Sequence, residues 1–448
     1  MPNEISYYIH FLIFIEMNMR HAILEAFALI KRSEFVHHVI ETFVTRILMI
    51  VIGLLTSVVV TRLLGPEGRG LFAVATTISA IGVQFGNLGL HASNTYYVAR
   101  DRSALPALTG NTLFTSFLMG GMGAAIAYAI FSAWPNISPI KGLLLVISLI
   151  WIPFGLAYAL LQNLLLGINK VRAYNKIDLV SKTLTLAAII ALAIQGTVSP
   201  ESVLSVSLIL LVATFAWCLW HLWTEFREFP TPSLPLFLTS FQYGFKAYLA
   251  AFLSAMIFRI DVLMINHMIG EEQTGYYSVA TGLCNLLYIL PVVVGTILFP
   301  KLSSSDDQAS RWSLTFKTAC VVGAVMLFAS VMLVLLGKYV IIFLYGNKFR
   351  ASYLPFVIML PGVLVWSVES IFRKFLNTDP EKGFRIEIVY IWSIVIPMNI
   401  VLNFILIPRI GTVGAAIAST ASFLTVAALV LIFSFREARR LELVSSTK

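Results

Sequence analysis

Runs of apolar residues long enough to cross a bilayer, each interrupted by a short polar turn, recur along nearly the whole chain. A hydrocarbon core of roughly 30 Å takes about 20 helical residues to span, so each run predicts one membrane helix. Six fall in the first half, near Ile40–Val60, Leu71–Leu90, Leu113–Ala133, Leu143–Leu165, Leu179–Ile194 and Val203–Trp223. Six more follow, near Tyr243–His267, Tyr276–Pro300, Phe316–Leu336, Tyr353–Phe375, Ile388–Ile407 and Val413–Phe435. The predicted fold class is an all-α membrane protein of about twelve transmembrane helices.

Most connections are short. The exception is Thr224–Pro235, where Glu225, Arg227 and Glu228 precede Pro230, Pro232 and Pro235, a mixture that stops one helix and spaces the next. It divides the chain into six-helix bundles at 31–223 and 236–437, joined by a cytoplasmic linker at 224–235 and followed by a cytoplasmic tail at 438–448. Residues 1–30 are set apart as an interfacial or disordered extension. Their apolar run, Tyr7–Ile15, is short and is followed by Glu16, Arg20, His21 and Glu25, which does not match a cleavable signal peptide; Met17 or Met19 is an alternative start.

The halves are related. Leu64-Gly65-Pro66-Glu67-Gly68-Arg69-Gly70 runs into Leu71-Phe72-Ala73-Val74-Ala75-Thr76 after the first helix. Ile269-Gly270-Glu271-Glu272-Gln273-Thr274-Gly275 runs into Tyr276-Tyr277-Ser278-Val279-Ala280-Thr281 after the seventh. One tight turn explains a single glycine pair, but not the same spacing twice at equivalent places. Gly196-Thr197-Val198 and Gly411-Thr412-Val413 echo each other at the ends of the two fifth helices. Six helices per repeat make the copies parallel, an arrangement that places substrate between the halves of many transporters.

Composition removes the soluble alternative. The chain is 58% hydrophobic and only 12% charged, with a mean hydropathy of +0.88. One globular core cannot absorb that much apolar surface. The formal charge of +9 sits between spans, as topology determinants do, so no nucleic-acid partner is implied. Most Lys and Arg fall on one side when the N-terminus is cytoplasmic, including Lys170, Arg172, Lys176 and Lys182, and Arg373, Lys374, Lys382 and Arg385. Lys338, Lys348 and Arg350 dissent. Both termini are therefore expected in the cytoplasm, in a plasma (inner) membrane. Cys218, Cys284 and Cys320 lie in apolar stretches without metal-ligand spacing. No cofactor or metal is expected.

From Thr61-Arg62-Leu63-Leu64-Gly65-Pro66-Glu67-Gly68-Arg69-Gly70 onward the sequence resembles the polysaccharide biosynthesis and oligosaccharide flippase family of the multidrug/oligosaccharidyl-lipid/polysaccharide exporter superfamily. Asn87-Leu88-Gly89-Leu90 before Tyr96-Tyr97, Arg259-Ile260-Asp261, Gly275 through Ala280, Asn403 through Pro408 and Gly411 through Ala416 carry the likeness onward. It extends from about Lys31 to Phe435. The resemblance implies two bundles around a central cavity that opens alternately to each face. It implies an undecaprenyl-pyrophosphate-linked oligosaccharide as cargo, with a polysaccharide polymerase and chain-length proteins as partners, and a transporter rather than an enzyme.

Such a cargo needs a wet, partly cationic path, so the charges inside spans become candidates; each costs roughly 2.5–3.5 kcal/mol at mid-helix on insertion scales. Arg259, Arg46 and Arg373 are the candidate pyrophosphate or cavity residues, and Asp261 and Glu369 the candidate ion-coupling residues. Each has a structural reading beside it. Arg259 and Asp261, two apart, point in different directions and can instead bond neighbouring helices. Arg46, five after Glu41, can snorkel to headgroups. Glu369 and Arg373, four apart, suit an intrahelical ion pair, with Lys374 pointing elsewhere. Gln84, Asn87, His91 and Asn94 form one polar stripe for sugar hydroxyls if the second helix continues through Gly89. Asn399 and Asn403 form a second glycan-facing pair, or an interhelical hydrogen-bonding one. Gly414, Ala418 and Ser422 are small residues for close helix packing. The turns at Gly65–Gly70 and Gly270–Gly275 lack the Lys and Ser/Thr of a phosphate-binding loop. Two alternatives stay open. One is a drug or cation exporter of the same superfamily. The other is a membrane-embedded glycan polymerase or ligase, against which the short outer loop at about Gly337–Ser352 counts.

Overall fold

The computed structural model describes residues 34–304, 307–377 and 387–445, with side chains described outside 34–43, 258 and 439–445. The extension at 1–30, the side chain of Glu41, Lys382, Arg385 and the last residues of the tail lie outside that set. The helices are α1 (Glu34–Gly86), α2 (Leu90–Arg100), α3 (Leu105–Ala133), α4 (Gly142–Gly167), α5 (Val171–Ile194), α6 (Pro200–Phe226), α7 (Leu234–Ile269), α8 (Glu271–Ser303), α9 (Gln308–Tyr345), α10 (Tyr353–Leu376), α11 (Glu387–Ile410) and α12 (Thr412–Ser445). Short 3₁₀ segments, Arg102–Ala104 and Asn347–Ser352, complete them, and no strand occurs among the described residues.

Eleven of the described helices are long and apolar enough to cross a bilayer, and the first such stretch covers 43 residues, Val44–Gly86. At ~1.5 Å per residue it is about twice as long as one crossing needs. It is not one rod. Gly65 adopts φ 68°, ψ −177°, a backbone region essentially closed to side-chain-bearing residues, and Pro66 restarts the helix with the φ a first turn requires. The limbs 34–64 and 66–86 therefore cross separately, which brings the spans to twelve.

Gly270, between α7 and α8, has φ 93°, ψ 178°, the same conformation at the position 205 residues on. Gly196 and Gly411, which close the two fifth helices, are both left-handed at φ 70° and 64°. The parallel repeat read from the sequence is thus also a repeat of backbone geometry.

The repeated turns meet. A Cβ placed on Gly70 would lie 2.7 Å from the carbonyl carbon of Glu271, and one on Gly275 would lie 2.8 Å from that of Pro66. Each glycine faces the first helical residue of the other repeat, so the start of the 66–86 limb and the start of α8 touch backbone to backbone. Two side chains hold the same end. Arg62 donates from Nε to Leu344 O at 2.7 Å and from Nη2 to Phe343 O, filling carbonyls at the end of α9. Arg69 donates from Nε to Ser278 Oγ on α8 at 3.2 Å, with its guanidinium 5.7 Å from the ring centroid of Phe72.

The other end of the seam is closed by a second glycine pair. A Cβ on Gly89 would lie 2.5 Å from the carbonyl carbon of Gly244 on α7, and one on Gly244 would lie 2.8 Å from that of Gly89. Tyr248 donates to Phe85 O at 2.8 Å beside it. The connection between α6 and α7, residues 227–233, crosses α3: Asn111 donates to Ser233 O at 3.0 Å and accepts from its N–H at 2.8 Å.

Two expectations change here. The second span ends at Gly86, and Leu88 (φ 49°) and Gly89 (φ 82°) turn the chain before α2 starts. The stretch at 337–352 is mostly helix, because no breaker occurs until Gly346 after α9, which leaves only 346–352 as a connection.

Candidate functional site

Asp261, on α7, is a fully buried ionisable side chain of the second half. Its Oδ2 accepts from the Tyr277 hydroxyl at 2.7 Å and from the Ser419 hydroxyl, and its Oδ1 accepts from Asn403 Nδ2 at 2.6 Å. Asn403 Nδ2 also reaches Asn399 Oδ1 at 3.0 Å, and the Tyr277 and Ser419 oxygens lie 3.2 Å apart. Four helices contribute: α7, α8, α11 and α12. The i, i+4 spacing of Asn399 and Asn403 puts both amides on one face of α11, and that face is buried with 0% exposure at both residues.

The centre is incompletely satisfied. Asn399 Nδ2 and Asn403 Oδ1 are buried without a hydrogen-bond partner, and an unmet buried polar atom costs roughly 1–3 kcal/mol. The cluster holds one carboxylate, two hydroxyls and two amide oxygens, atoms of the type hard cations take, with Asn403 Nδ2 between Asp261 Oδ1 and Asn399 Oδ1. The same carboxylate can instead hold a proton. Among the described residues no three His, Cys, Asp or Glu gather as a metal cluster.

The second charged group lies on α10. Glu369, with 0% exposure, sits 3.1 Å from Arg373 Nε, an i, i+4 ion pair in the favoured order. Arg373 Nη2 approaches the Tyr288 hydroxyl of α8 at 3.4 Å. Tyr288 stacks on Trp366 with centroids 3.6 Å apart, and Trp366 stacks on Phe423 of α12 at 5.0 Å. The pair is thus embedded in an aromatic column joining α8, α10 and α12. Lys374, next in sequence, extends toward α8, with Nζ 5.7 Å from the ring centroid of Phe299.

Arg259 is half-buried on α7. It donates from Nη1 to Ala255 O of its own helix at 2.9 Å and makes no ion pair with any described residue, Asp261 included. Arg46 is exposed on the first limb, 6.0 Å over the ring of Tyr174 on α5. No hydrogen bond or ion pair joins Arg46, Arg259 and Arg373 to one another among the described residues.

The turn at 87–89 divides the four-residue polar stripe. Gln84 stays on α1, while Asn87 caps α2: its Oδ1 accepts from His91 N–H at 3.3 Å and lies 3.2 Å from His91 Nδ1. Asn94 is buried and donates to Thr112 Oγ1 of α3 at 2.9 Å. The helix that would have aligned Gln84, Asn87, His91 and Asn94 does not continue through Gly89, so they do not share one face. On α12, Ser422 bonds back to Ala418 O at 2.8 Å, and Gly414 lies against the Leu406 carbonyl, the close packing expected of small residues.

Sequence reasoning did not select Tyr277, Ser419, Tyr288, Arg62 or Arg69 as site residues. Tyr277 lies inside the repeated motif and Ser419 inside the small-residue region of α12, so both were visible. Nothing local marks either as a partner of Asp261. A recess of about 460 Å³ on the flank of the first half, between α3 and α4, is lined by apolar residues such as Ala124, Val146 and Ile150. None of these charged groups lines it.

Residues 59–354 match the family model described as polysaccharide biosynthesis protein, a stretch that runs from the first limb through the seam into the second half. A probable flippase AglR of Haloferax volcanii is 28% identical over 172 residues, covering 36% of this chain and 35% of the relative. A probable low-salt glycan biosynthesis flippase, Agl15, of the same organism is 22% identical over 216 residues, covering 48% and 44%. The matched stretches thus span less than half the length of these relatives. Among solved structures, a lipid II flippase MurJ in an inward closed conformation superposes with a TM-score of 0.72 at 15% identity, over 89% of this chain and 87% of that one. An inward-facing multidrug resistance MATE family transporter of the MOP superfamily gives 0.68 at 14%, over 88% and 95%. At that identity the likeness is one of fold.

Proposed function

Because the chain belongs to the polysaccharide biosynthesis protein family, we propose that this multi-pass membrane protein is a flippase for a lipid-linked glycan. It carries a polyprenyl-pyrophosphate-linked oligosaccharide from the cytoplasmic to the outer leaflet of the plasma membrane, with both termini cytoplasmic. The observation that carries the reading is the family match, which crosses the seam and reaches the start of α10. The names of the two archaeal relatives point the same way. Translocation makes and breaks no covalent bond, so the reading assigns no catalytic residue.

In this reading the halves rock about the seam. The Gly70–Gly275 end faces outward and the Gly89–Gly244 end inward, and each must part in turn for the glycan to pass. Arg259, which lies in the half of α7 nearer Ile269 and makes no ion pair with any described residue, receives the pyrophosphate. Arg46 meets it nearer the cytoplasmic mouth. Arg373, already engaged by Glu369, contributes only when that pair opens. Gln84 and His91 are the polar side chains left to face the glycan, while Asn399 and Asn403 serve the ion centre. Asp261 binds the coupling proton or sodium ion. A cation there would give the unmet Asn403 Oδ1 a partner and change how α7, α11 and α12 pack, which supplies the differential affinity that a population shift requires. A polymerase and chain-length proteins would take the product outside.

The test is deletion in the native host with the leaflet of the lipid-linked glycan read by a membrane-impermeant probe. Accumulation on the cytoplasmic face, relieved by the full chain, is the expected result. Unchanged surface glycan together with sensitised growth on cationic drugs would favour the exporter reading, which the MATE-like fold also accommodates.

A further inference from the structure

The cytoplasmic end of the seam carries a group of rings whose chemistry the mechanism above does not use. Tyr96, on α2 of the first half, stacks face to face on Tyr243 of α7, with centroids 4.6 Å apart and planes 16° from parallel. Tyr97 sets its edge against both, at 5.1 Å and 5.7 Å. This is not core packing, since Tyr96 is 40% and Tyr243 50% exposed. The stack bridges the two halves one residue from Gly244, where backbone meets backbone and no side chain can intervene.

A cation lies on the same platform. Arg100 Nη1 sits 3.4 Å from the Tyr96 hydroxyl. Its charged neighbours are otherwise engaged. The Asp101 carboxylate accepts from Ser103 N–H at 2.9 Å and from the Ser103 hydroxyl at 2.7 Å, bonds that hold its pKa below the usual carboxylate range. Arg102 donates to Ile168 O at 2.7 Å. Arg100 remains exposed and makes no ion pair with any described residue.

From this juxtaposition we propose that Tyr96, Tyr243 and Arg100 form a receiving site for the sugar that carries the pyrophosphate. A pyranose ring presents one apolar C–H face, which packs on a flat amphipathic ring, while its hydroxyls stay in water or bond the phenols. A guanidinium beside the ring suits the phosphate on the anomeric carbon, because its planar fork matches phosphate oxygens in a way an ammonium does not. The rings stack on each other in this closed arrangement. When the halves part, each loses its partner, and a sugar ring replaces it. The site therefore recognises a sugar-1-pyrophosphate and joins loading to opening of the cytoplasmic end. A ring of tyrosines that only anchors the protein at headgroup depth would have no preference between carriers with and without sugar.

The inference rests on the flippase reading, and the experiment separates the two. The full chain in nanodiscs is titrated by native mass spectrometry with undecaprenyl pyrophosphate and with undecaprenyl-pyrophosphoryl-N-acetylglucosamine. The wild type is expected to hold the sugar-bearing carrier about fivefold more tightly, the order of one well-made aromatic contact. Tyr96→Leu and Tyr243→Leu should each bring the ratio of the two affinities to one, a ratio from which any common change in opening cancels, and measurable binding of the sugar-free carrier reports that the variants are folded. Tyr96→Phe should retain most of the preference, and Arg100→Gln should weaken both carriers. Equal wild-type affinity for the two carriers, or a preference that survives both leucine variants, overturns the receiving site and leaves the flippase reading standing. Failure of the wild type to bind either carrier overturns both.

Discussion

Replacing Gly275 with alanine tests whether the seam is a gate. The added Cβ would lie 2.8 Å from the carbonyl carbon of Pro66, and closer still to its oxygen. Carbon atoms in contact rest about 3.5–4.0 Å apart, so the two helix starts must separate by roughly 1 Å. Neither can yield as a side chain would, because both are backbone in a first helical turn. Overpacking of this kind costs roughly 1–3 kcal/mol. Charged entirely to the closed arrangement, that moves the closed-to-open ratio by about 5- to 150-fold. The measurement is the distance between spin labels at Glu67→Cys and Glu272→Cys, both exposed beside the turns, with Cys218, Cys284 and Cys320 replaced. The parent should give one short distance and Gly275→Ala a second, longer population. Gly282→Ala is the control, since nothing lies within 4 Å of its Cβ, and should leave the distribution alone. A folded Gly275→Ala protein with the parent distribution would refute the gate.

The remaining expectations concern the other end and the buried charges. Gly244→Ala, whose Cβ meets the Gly89 backbone, should raise thiol labelling at the Gly89–Gly244 end of the seam without lengthening the Glu67–Glu272 distance. Asp261→Asn should abolish the dependence of transport on the coupling ion in proteoliposomes at the cost of turnover, whereas Ser419→Ala should shift only the apparent ion affinity, by about tenfold or less. Glu369→Ala strands the Arg373 guanidinium and should lower thermal stability in detergent by an amount equivalent to roughly 3–5 kcal/mol. A second substitution, Arg373→Met, should restore most of that loss; no recovery would mean that the pair does not act as a unit.

Much of this architecture was legible because lipid imposes a simple rule: each crossing must be apolar, helical and about 20 residues long. The repeated turns were legible because Gly65 and Gly270 occupy backbone conformations that few other residues can adopt. The break after Gly86 was not legible. It depends on Leu88 in a left-handed conformation, which nothing in its side chain announces. The surroundings of Asp261 were only half legible. A carboxylate within a span signals its own importance, but its partners come from helices up to 158 residues away. Asn399 and Asn403 have the same spacing whether their face meets a cavity or another helix, and only packing decides which.

The reciprocal contact of the glycine turns also has a consequence for how such a chain can change over generations. Gly70 faces the start of one repeat and Gly275 the start of the other, so neither copy of the turn can drift on its own. A side chain acquired at position 70 is tolerated only if the backbone at 271 retreats, and that movement carries the neighbouring 275–66 contact with it. After the duplication the two halves were free to diverge in their interiors, as they did where Asp261 and Tyr277 stand opposite Thr56 and Phe72 in the repeat. At the turns the glycines match, Gly65 with Gly270 and Gly70 with Gly275, while the residues between them differ except at Glu67 and Glu272.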